Sequence, residues 1–398
     1  MRPQLIRFYF GFAALALSAG APPVIAPVMA MDALPAATAA AMAQAASPQA
    51  IAEYRRKLQE YQEARAEFEA VAGPYWTSVT EKRRGRNAKR RERQTITLND
   101  YVLTQPPVYS GPKRPVDPAP EPSEPRERKP IPVVADLLKA AAEEFQFAPQ
   151  RPASEIDFKR AYARYALAAG VTREQAVRVY SFETGGTGNY DVQAGIEHGG
   201  KRAISTAMGY NQLLTANSVE LMAEQGHEFV KQLTAKAATL SGPARKAMDH
   251  KLAVLKKMVA FTLTVPDEWS AHEKLANTAQ GWAVHAMVLD IDVGPMLQTH
   301  KLLTSVISAR AKGYNRPLSA AELEMMNLTG DGTGLDMVTM PQGMREQVPT
   351  SNFFQRSGYE RNPVAIRNNT VAKLLAVTDA RMDSNSNNQG AKDLAAAF

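Results

Sequence analysis

The sequence predicts a mainly α-helical protein, and three observations carry that prediction. From Val133 onward apolar residues recur at helical spacing between recognisable caps. Strand-like alternation is scarce. The segment before Val133 has the composition of a spacer, with ten of the 26 prolines lying between Pro106 and Pro132. The 398 residues are 45% hydrophobic and 22% charged, which suits a globular chain of one large domain or two modest ones. The absence of Cys excludes a disulfide framework, thiolate zinc sites, a thiol nucleophile and acylation at a cysteine.

Taken in order, residues 1–30 have the pattern of an export signal. Arg2 and Arg7 precede the apolar run Phe8–Leu17, and Val28-Met29-Ala30 supplies small residues for cleavage after Ala30. Pro22, Pro23 and Pro27 shorten any regular apolar helix, so an uncleaved inner-membrane anchor is the alternative. The expected location is therefore periplasmic or secreted. Residues 31–72 are an Ala-rich spacer followed by an amphipathic helix over Ile51–Val71. In that helix Ile51, Tyr54, Leu58, Tyr61 and Phe68 lie at heptad-like spacing and Arg65 interrupts the seam. Such a helix either docks on a partner or packs on its own chain. Residues 73–132 are expected to be a disordered basic and Pro-rich linker.

A domain of about 250 residues follows over 133–382. Helices are expected at Asp136–Phe145, at Ser154–Ala169 closed by Gly170, and from the capping box Thr172-Arg173-Glu174-Gln175 through Val177, Tyr180 and Phe182. Others are expected at Asn217–Glu224, Pro243–Leu263, His272–Asp290, Met296–Ala311, Ala320–Met326 and Ala365–Met382. Residues 383–398 read as a polar tail.

The net charge of +7 is unevenly spread. Arg2 and Arg7 supply +2 and the run Lys82–Arg93 supplies +7, which leaves −2 for everything else. A globally basic, DNA-coating domain is thereby disfavoured, and no nucleic acid is expected as partner. In an exported protein the run would meet an anionic membrane surface, wall polymers or an envelope protein.

The densest chemical signal is Ser181-Phe182-Glu183-Thr184-Gly185-Gly186-Thr187-Gly188. A helix with apolar neighbours delivers a carboxylate at its negative end, just before a glycine-rich break. Both the helix end and the apolar surroundings disfavour ionisation, which raises a carboxyl toward the range of a general acid. Downstream lie Ala207-Met208-Gly209-Tyr210-Asn211-Gln212-Leu213 and, much later, Asn327-Leu328-Thr329-Gly330. In this order the three segments resemble the motifs of SLT-type lytic transglycosylases of the lysozyme-like superfamily: a helix ending in Glu-Ser-Gly, then Gly-x-Met-Gln-Leu, then Ala-Tyr-Asn-x-Gly. The resemblance spans roughly 154–334. It departs from the pattern at Asn211, where Met is usual, and at Met326, which replaces the tyrosine. The 29 residues from Glu183 to Gln212 and the stretch 226–295 are also longer than the pattern has.

The resemblance implies a lysozyme-like helical catalytic domain that cleaves the bond between MurNAc and GlcNAc in peptidoglycan. Glu183 would protonate the glycosidic oxygen and then take the proton of the sugar's own 6-hydroxyl, closing a 1,6-anhydro ring. Thr184, Gly209, Tyr210 and Gln212 would line the glycan groove, Asn327 would flank the acid, and neither cofactor nor metal is required. A hydrolytic muramidase would instead need a second carboxylate, for which Asp191 is the first candidate and Asp331 the second. A non-catalytic glycan-binding or scaffold protein, or an adaptor recruited through the Ile51–Val71 helix and the basic run, is the reading outside enzymology.

Weaker signals complete the list. Gly195–Lys201 matches G-x-x-x-x-G-K but has Arg202 where Ser or Thr belongs, and reads as a chance match. The six histidines show no metal-binding spacing. Asp331–Asp336 reads as a turn, not a calcium loop. Asn352–Asn369 mixes aromatics with Arg and Asn and is expected to wrap the groove or seal the core.

Overall fold

A computed structural model of the chain describes residues 47–119, 130–196 and 203–398. The export signal, most of the Ala-rich spacer and part of the Gly195–Lys201 loop lie outside those residues. The described chain is mainly helical, with no strand beyond two isolated bridges, Gln193 to Met208 and Met208 to Leu213. It divides into two compact units. One comprises Pro130–Glu346 with Thr370–Phe398, and the other comprises residues 47–119 with Gln347–Asn369. Among the described residues no helix is long and apolar enough to cross a membrane.

The smaller unit corrects the expected linker. Helix α1 runs over Pro48–Arg91, straight through the segment expected to be disordered. Its start is set by Ser47, whose hydroxyl accepts from Ala50 N (3.2 Å), and by Pro48 in the first turn. Pairs one turn apart, Lys57–Glu53 (2.7 Å) and Arg65–Glu69 (2.8 Å), support its exposed face, and Lys89, Arg90 and Arg91 complement the negative C-terminal end. The seam turns inward on its own chain: Tyr109 packs edge-on against Phe68 (5.4 Å) and Tyr61 (6.4 Å), and Arg65 lies over the same ring (4.7 Å). The residue that interrupts the heptad is thus the one that seats the Pro-rich segment.

Half of the basic run is structural. Arg86 is buried, donates to the carbonyls of Asp100 (2.9 Å) and Asn352 (3.1 Å), and stacks on Tyr101 (4.3 Å). Arg83 donates to the carbonyls of Asn352 and Phe354, Lys82 to those of Asn99 and Tyr101, and Lys89 pairs with Asp100. The Asn352–Asn369 segment therefore seals the core of this unit, around Trp76, Val102 and Tyr359, and belongs to it instead of to the larger one. Sequence patterning missed this because Lys and Arg stems pack well while their charges remain conspicuous.

In the larger unit the caps fall where the sequence puts them. Helix α2 is Val134–Phe145, and α3 is Glu155–Ala169, with Ser154 as N-cap and Gly170 left-handed after it. Helix α4, Arg173–Thr184, opens on the reciprocal Thr172–Gln175 capping box (3.0 and 3.1 Å) and ends at Gly185. Helices α5 (Thr215–Ala238) and α6 (Gly242–Thr262) follow. The expected His272–Asp290 helix is broken into α7 (Trp269–Ala276), α8 (Ala279–His285) and a 3-10 turn over Ala286–Leu289. The break sits where Gly281 approaches the Leu275 carbonyl too closely for any side chain: a Cβ there would lie 2.1 Å from it. Then come α9 (Val293–Ala311), α10 (Ala320–Thr329), α11 (Asp331–Thr339) and α12 (Gln342–Arg345).

The polar tail is a second correction. Helix α15 (Val371–Ser386), reached through the short α13 (Arg356–Glu360) and α14 (Pro363–Arg367) of the other unit, extends beyond Met382. It is followed by α16, Gln389–Ala397, which buries Ala391 and Leu394 against α3 and α4. Polar residues in this tail look like solvent signals in sequence, yet several satisfy the carbonyls at the end of α4.

Candidate active site

Glu183 stands in the last turn of α4, whose other face is core: Val179 and Tyr180 are fully buried and Phe182 nearly so. Gly185 and Gly186 are left-handed (φ 66° and 72°), which ends the helix and turns the chain away. Tyr180 Oη donates to Gly188 O (2.7 Å), folding the break back onto its own helix. The tail finishes the job. Asn385 Nδ2 donates to Ser181 O (2.9 Å), Asn388 Nδ2 to Gly185 O (2.7 Å) and Ala391 N to Gly186 O (3.0 Å), so carbonyls that a helix end leaves unpaired are satisfied by α15, α16 and the turn between them.

The Glu183 carboxyl is pushed up to about 7 by burial, against the opposing pull of Lys301 on α9, a hydrogen bond from Glu324 and the pull of Arg381 on α15. Its closest acidic neighbour was not among the sequence candidates. Glu324, on α10, is fully buried and neither of its oxygens has a well-formed hydrogen bond. Burial and the adjacent Glu183 raise it well above the usual carboxylate range, while Lys301 and Asn327 act in the opposite sense. Glu324 lies outside the three sequence motifs, and nothing in its local sequence marks it as buried.

Lys301 and Asn327 also line a small cleft, whose walls include Asn217 and Glu220 of α5, Ser305 of α9 and Asp331 of α11. Asp331 is bonded to Ser305 Oγ (2.6 Å), and burial raises its carboxyl as well. Asn327 lies beside Glu324, on whose carboxyl it acts. Asp331 shares the cleft, whereas Asp191 is committed elsewhere: it pairs with Arg151 and faces Tyr190 and Glu155. Asp191 is therefore not a carboxylate of this cleft. Among the described residues no three His, Asp or Glu side chains are grouped so as to hold a metal ion. His285 and His300 are core histidines held largely neutral by burial, bonded to Ser218 and Thr206 and to Tyr165 respectively.

The second motif forms a tight turn. Met208 and Leu213 exchange two backbone bonds (2.9 and 3.0 Å), Gly209 is left-handed (φ 78°), and Gln212 is also left-handed (φ 43°). Gln298 of α9 threads this turn, accepting from Asn211 N (2.8 Å) and donating to Met208 O (3.2 Å). Gln212 is half-buried, and its amide is used on Gly209 O (2.9 Å). Tyr210 is not a sugar platform. It is fully buried, set edge-on against Tyr180 (4.9 Å), Tyr162 (5.4 Å) and Phe158 (5.3 Å), with its hydroxyl on Glu155. Thr184 is buried too, and its hydroxyl bonds back to Tyr180 O (2.8 Å), so it is a packing residue at the helix end and not a glycan contact. The Tyr180–Tyr210 pair is the physical link between the first and second motifs.

Comparisons with protein-family models, with curated proteins and with solved structures return no match.

Proposed function

We propose that this chain is an exported peptidoglycan lytic transglycosylase built on a lysozyme-like helical domain. Glu183 acts first as general acid toward the MurNAc–GlcNAc glycosidic oxygen and then as base toward the 6-hydroxyl. One observation carries the reading: the carboxyl of Glu183, a half-buried residue at a helix end, is kept protonated to about pH 7 by burial and is acted on by Lys301, which with Asn327 lines a small cleft. An acid that still holds its proton near neutral pH is what protonation of a glycosidic oxygen requires. Asn327 would bind sugar amide or hydroxyl groups from the cleft wall, and Gly209 and Gln212 would present the adjoining turn.

The hydrolytic alternative is less well supported. A retaining or inverting glycosidase holds its carboxyls about 5–5.5 or 6.5–9.5 Å apart across the bond being cut. Here the neighbouring carboxyl, Glu324, is fully buried and so cannot face a sugar from across a groove. Export to the periplasm rests on the pattern of residues 1–30. The exposed Arg84, Arg91 and Arg93 are left to meet an anionic membrane or envelope partner.

Digestion of purified sacculi, with mass spectrometry of the fragments, tests the reading. Anhydro-ended muropeptides that disappear with Glu183→Gln are expected. Reducing-end products would make the protein a hydrolase, and intact glycan with retained sacculus binding would make it a non-catalytic binder.

A further inference from the structure

Four helices bring four charged side chains to one place. Glu183 comes from α4, Glu324 from α10, Lys301 from α9 and Arg381 from α15, where Arg381 also stacks on Phe182 (5.0 Å). Asp331 of α11 also interacts with Lys301, and the remaining elements against α4 carry Lys159 (α3) and Asp393 (α16). The latter two approach each other (3.9 Å), and Lys159 lies over the Tyr180 ring, on the core side of the helix. The feature requiring explanation is Glu324. A carboxylate with no exposure and no well-formed hydrogen bond on either oxygen is among the costliest groups a protein can bury. Its immediate neighbour is another carboxyl, which as an anion offers only acceptors. The two can bond to each other only if a proton lies between them.

We propose that Glu183 and Glu324 work as one carboxyl pair holding a shared proton, with Glu324 the positioning residue that keeps Glu183 supplied and Lys301 and Arg381 the counter-charges. This deepens, and rests on, the lytic reading of Glu183. In the first step the pair's proton leaves from Glu183 to the glycosidic oxygen. The C1–O bond breaks with its electron pair on that oxygen, and the pair is left with two negative charges against two positive ones. In the second step O6 of the same sugar bonds to C1, and its proton returns to the pair. Proton and charge inventories close without water or any further group. Like charges in contact cannot both ionise easily, so the pair retains one proton over a wider pH range than a lone carboxyl would.

Two measurements on the full-length protein test this. Infrared titration of the protonated carboxyl band should show two separated steps in the native protein. Either Glu324→Gln or Glu183→Gln should leave one step, lying below the native upper step by about one pH unit or more. This arm needs no activity, and because either variant suffices it survives failure of one of them to fold. In the second, the descending limb of the pH profile for anhydro-muropeptide release should move to lower pH in Glu324→Gln by a similar amount, while the anhydro product itself is unchanged. An upper step at its native position in both variants, or a pH profile unmoved in Glu324→Gln, would overturn the pair. Absence of anhydro product from the native protein, with the two-step titration present, would overturn the lytic reading and leave the pair standing.

Discussion

Asn385 donates its side-chain amide to the carbonyl of Ser181 across 2.9 Å, two residues before Glu183. The residue looks like part of a solvated Ser/Asn tail, yet it closes the end of the helix that carries the acid. Asn388 and Ala391 make the same kind of bond to Gly185 and Gly186. The position of Glu183 is therefore fixed from a part of the chain some 200 residues away in sequence.

Asn385→Ala should cost about 1–2 kcal/mol, because it strands a helix-end carbonyl in a partly buried place. In a unit of this size that is a fall in Tm of roughly 2–8 °C. The activity should fall further than the folded fraction does, since small displacements of a catalytic acid carry large rate penalties. Differential scanning fluorimetry and muropeptide release on the same samples check both. Equal losses in the two would mean that the tail stabilises without positioning.

Gly209→Ala should be strongly destabilising, for two separable reasons. The position is left-handed, and a Cβ there would lie 2.1 Å from Gln298 Nε2 and 3.1 Å from Tyr190 O. The backbone strain alone costs about 1 kcal/mol, and displacing Gln298 breaks its bonds to Asn211 and Met208. A loss of about 2–4 kcal/mol in chemical denaturation is expected. Gly209→Ala with Gln298→Ala would recover part of it if the clash dominates. No recovery in the double variant would assign the cost to the left-handed backbone.

The larger unit was readable where local rules decide and obscure where distant parts of the chain do. Ser154, Gly170 and the Thr172–Gln175 box fix helix ends through bonds three or four residues away, so their positions followed from sequence alone. The Glu183 break was legible for the same reason. Glu324 was not, because its meaning depends on Glu183, 141 residues earlier, arriving at the same spot. The misread linker and tail share one cause. Arg86, Asn352, Asn385 and Asn388 are polar residues whose partners are backbone carbonyls remote in sequence, and composition scores such residues as solvated. Tyr210 was ambiguous between platform and core, and the rings of Phe158, Tyr162 and Tyr180 decide for core.

Stability should depend on pH through the carboxyl pair. A carboxyl whose folded value lies above its ordinary 4.5 favours the folded state fully below that value and loses the contribution as pH rises through the folded one. Glu183, pushed up to about 7, therefore withdraws stability between about pH 4.5 and 7, and Glu324 continues the loss at higher pH. Glu324→Gln removes that second loss, so it should melt at or above the native protein's temperature at pH 8 and show less gain at pH 5. Each pKa unit corresponds to about 1.4 kcal/mol, the pull of Lys301 and Arg381 being already contained in the folded value. Melting curves between pH 5 and 9 check this. A native protein whose Tm rises steadily across that range would contradict the assignment of raised values to both residues.

The basic run divides into residues that hold the smaller unit together and residues free to meet an anionic partner, and substitution should separate the two. Arg86 is 1% exposed, bonded to two carbonyls and stacked on Tyr101, so Arg86→Ala should cost about 3–5 kcal/mol through lost packing and stranded acceptors. Arg84, Arg91 and Arg93 are exposed, and replacing all three by Gln should change the Tm by less than about 2 °C. On vesicles containing anionic phospholipid, the triple variant should lose most of its salt-sensitive binding, since surface attraction is about 1 kcal/mol per cation. Arg86→Met, which preserves the stem and its ring contact, should bind vesicles like the native protein wherever it remains folded. Undiminished binding by the triple variant would show that the run serves the fold alone.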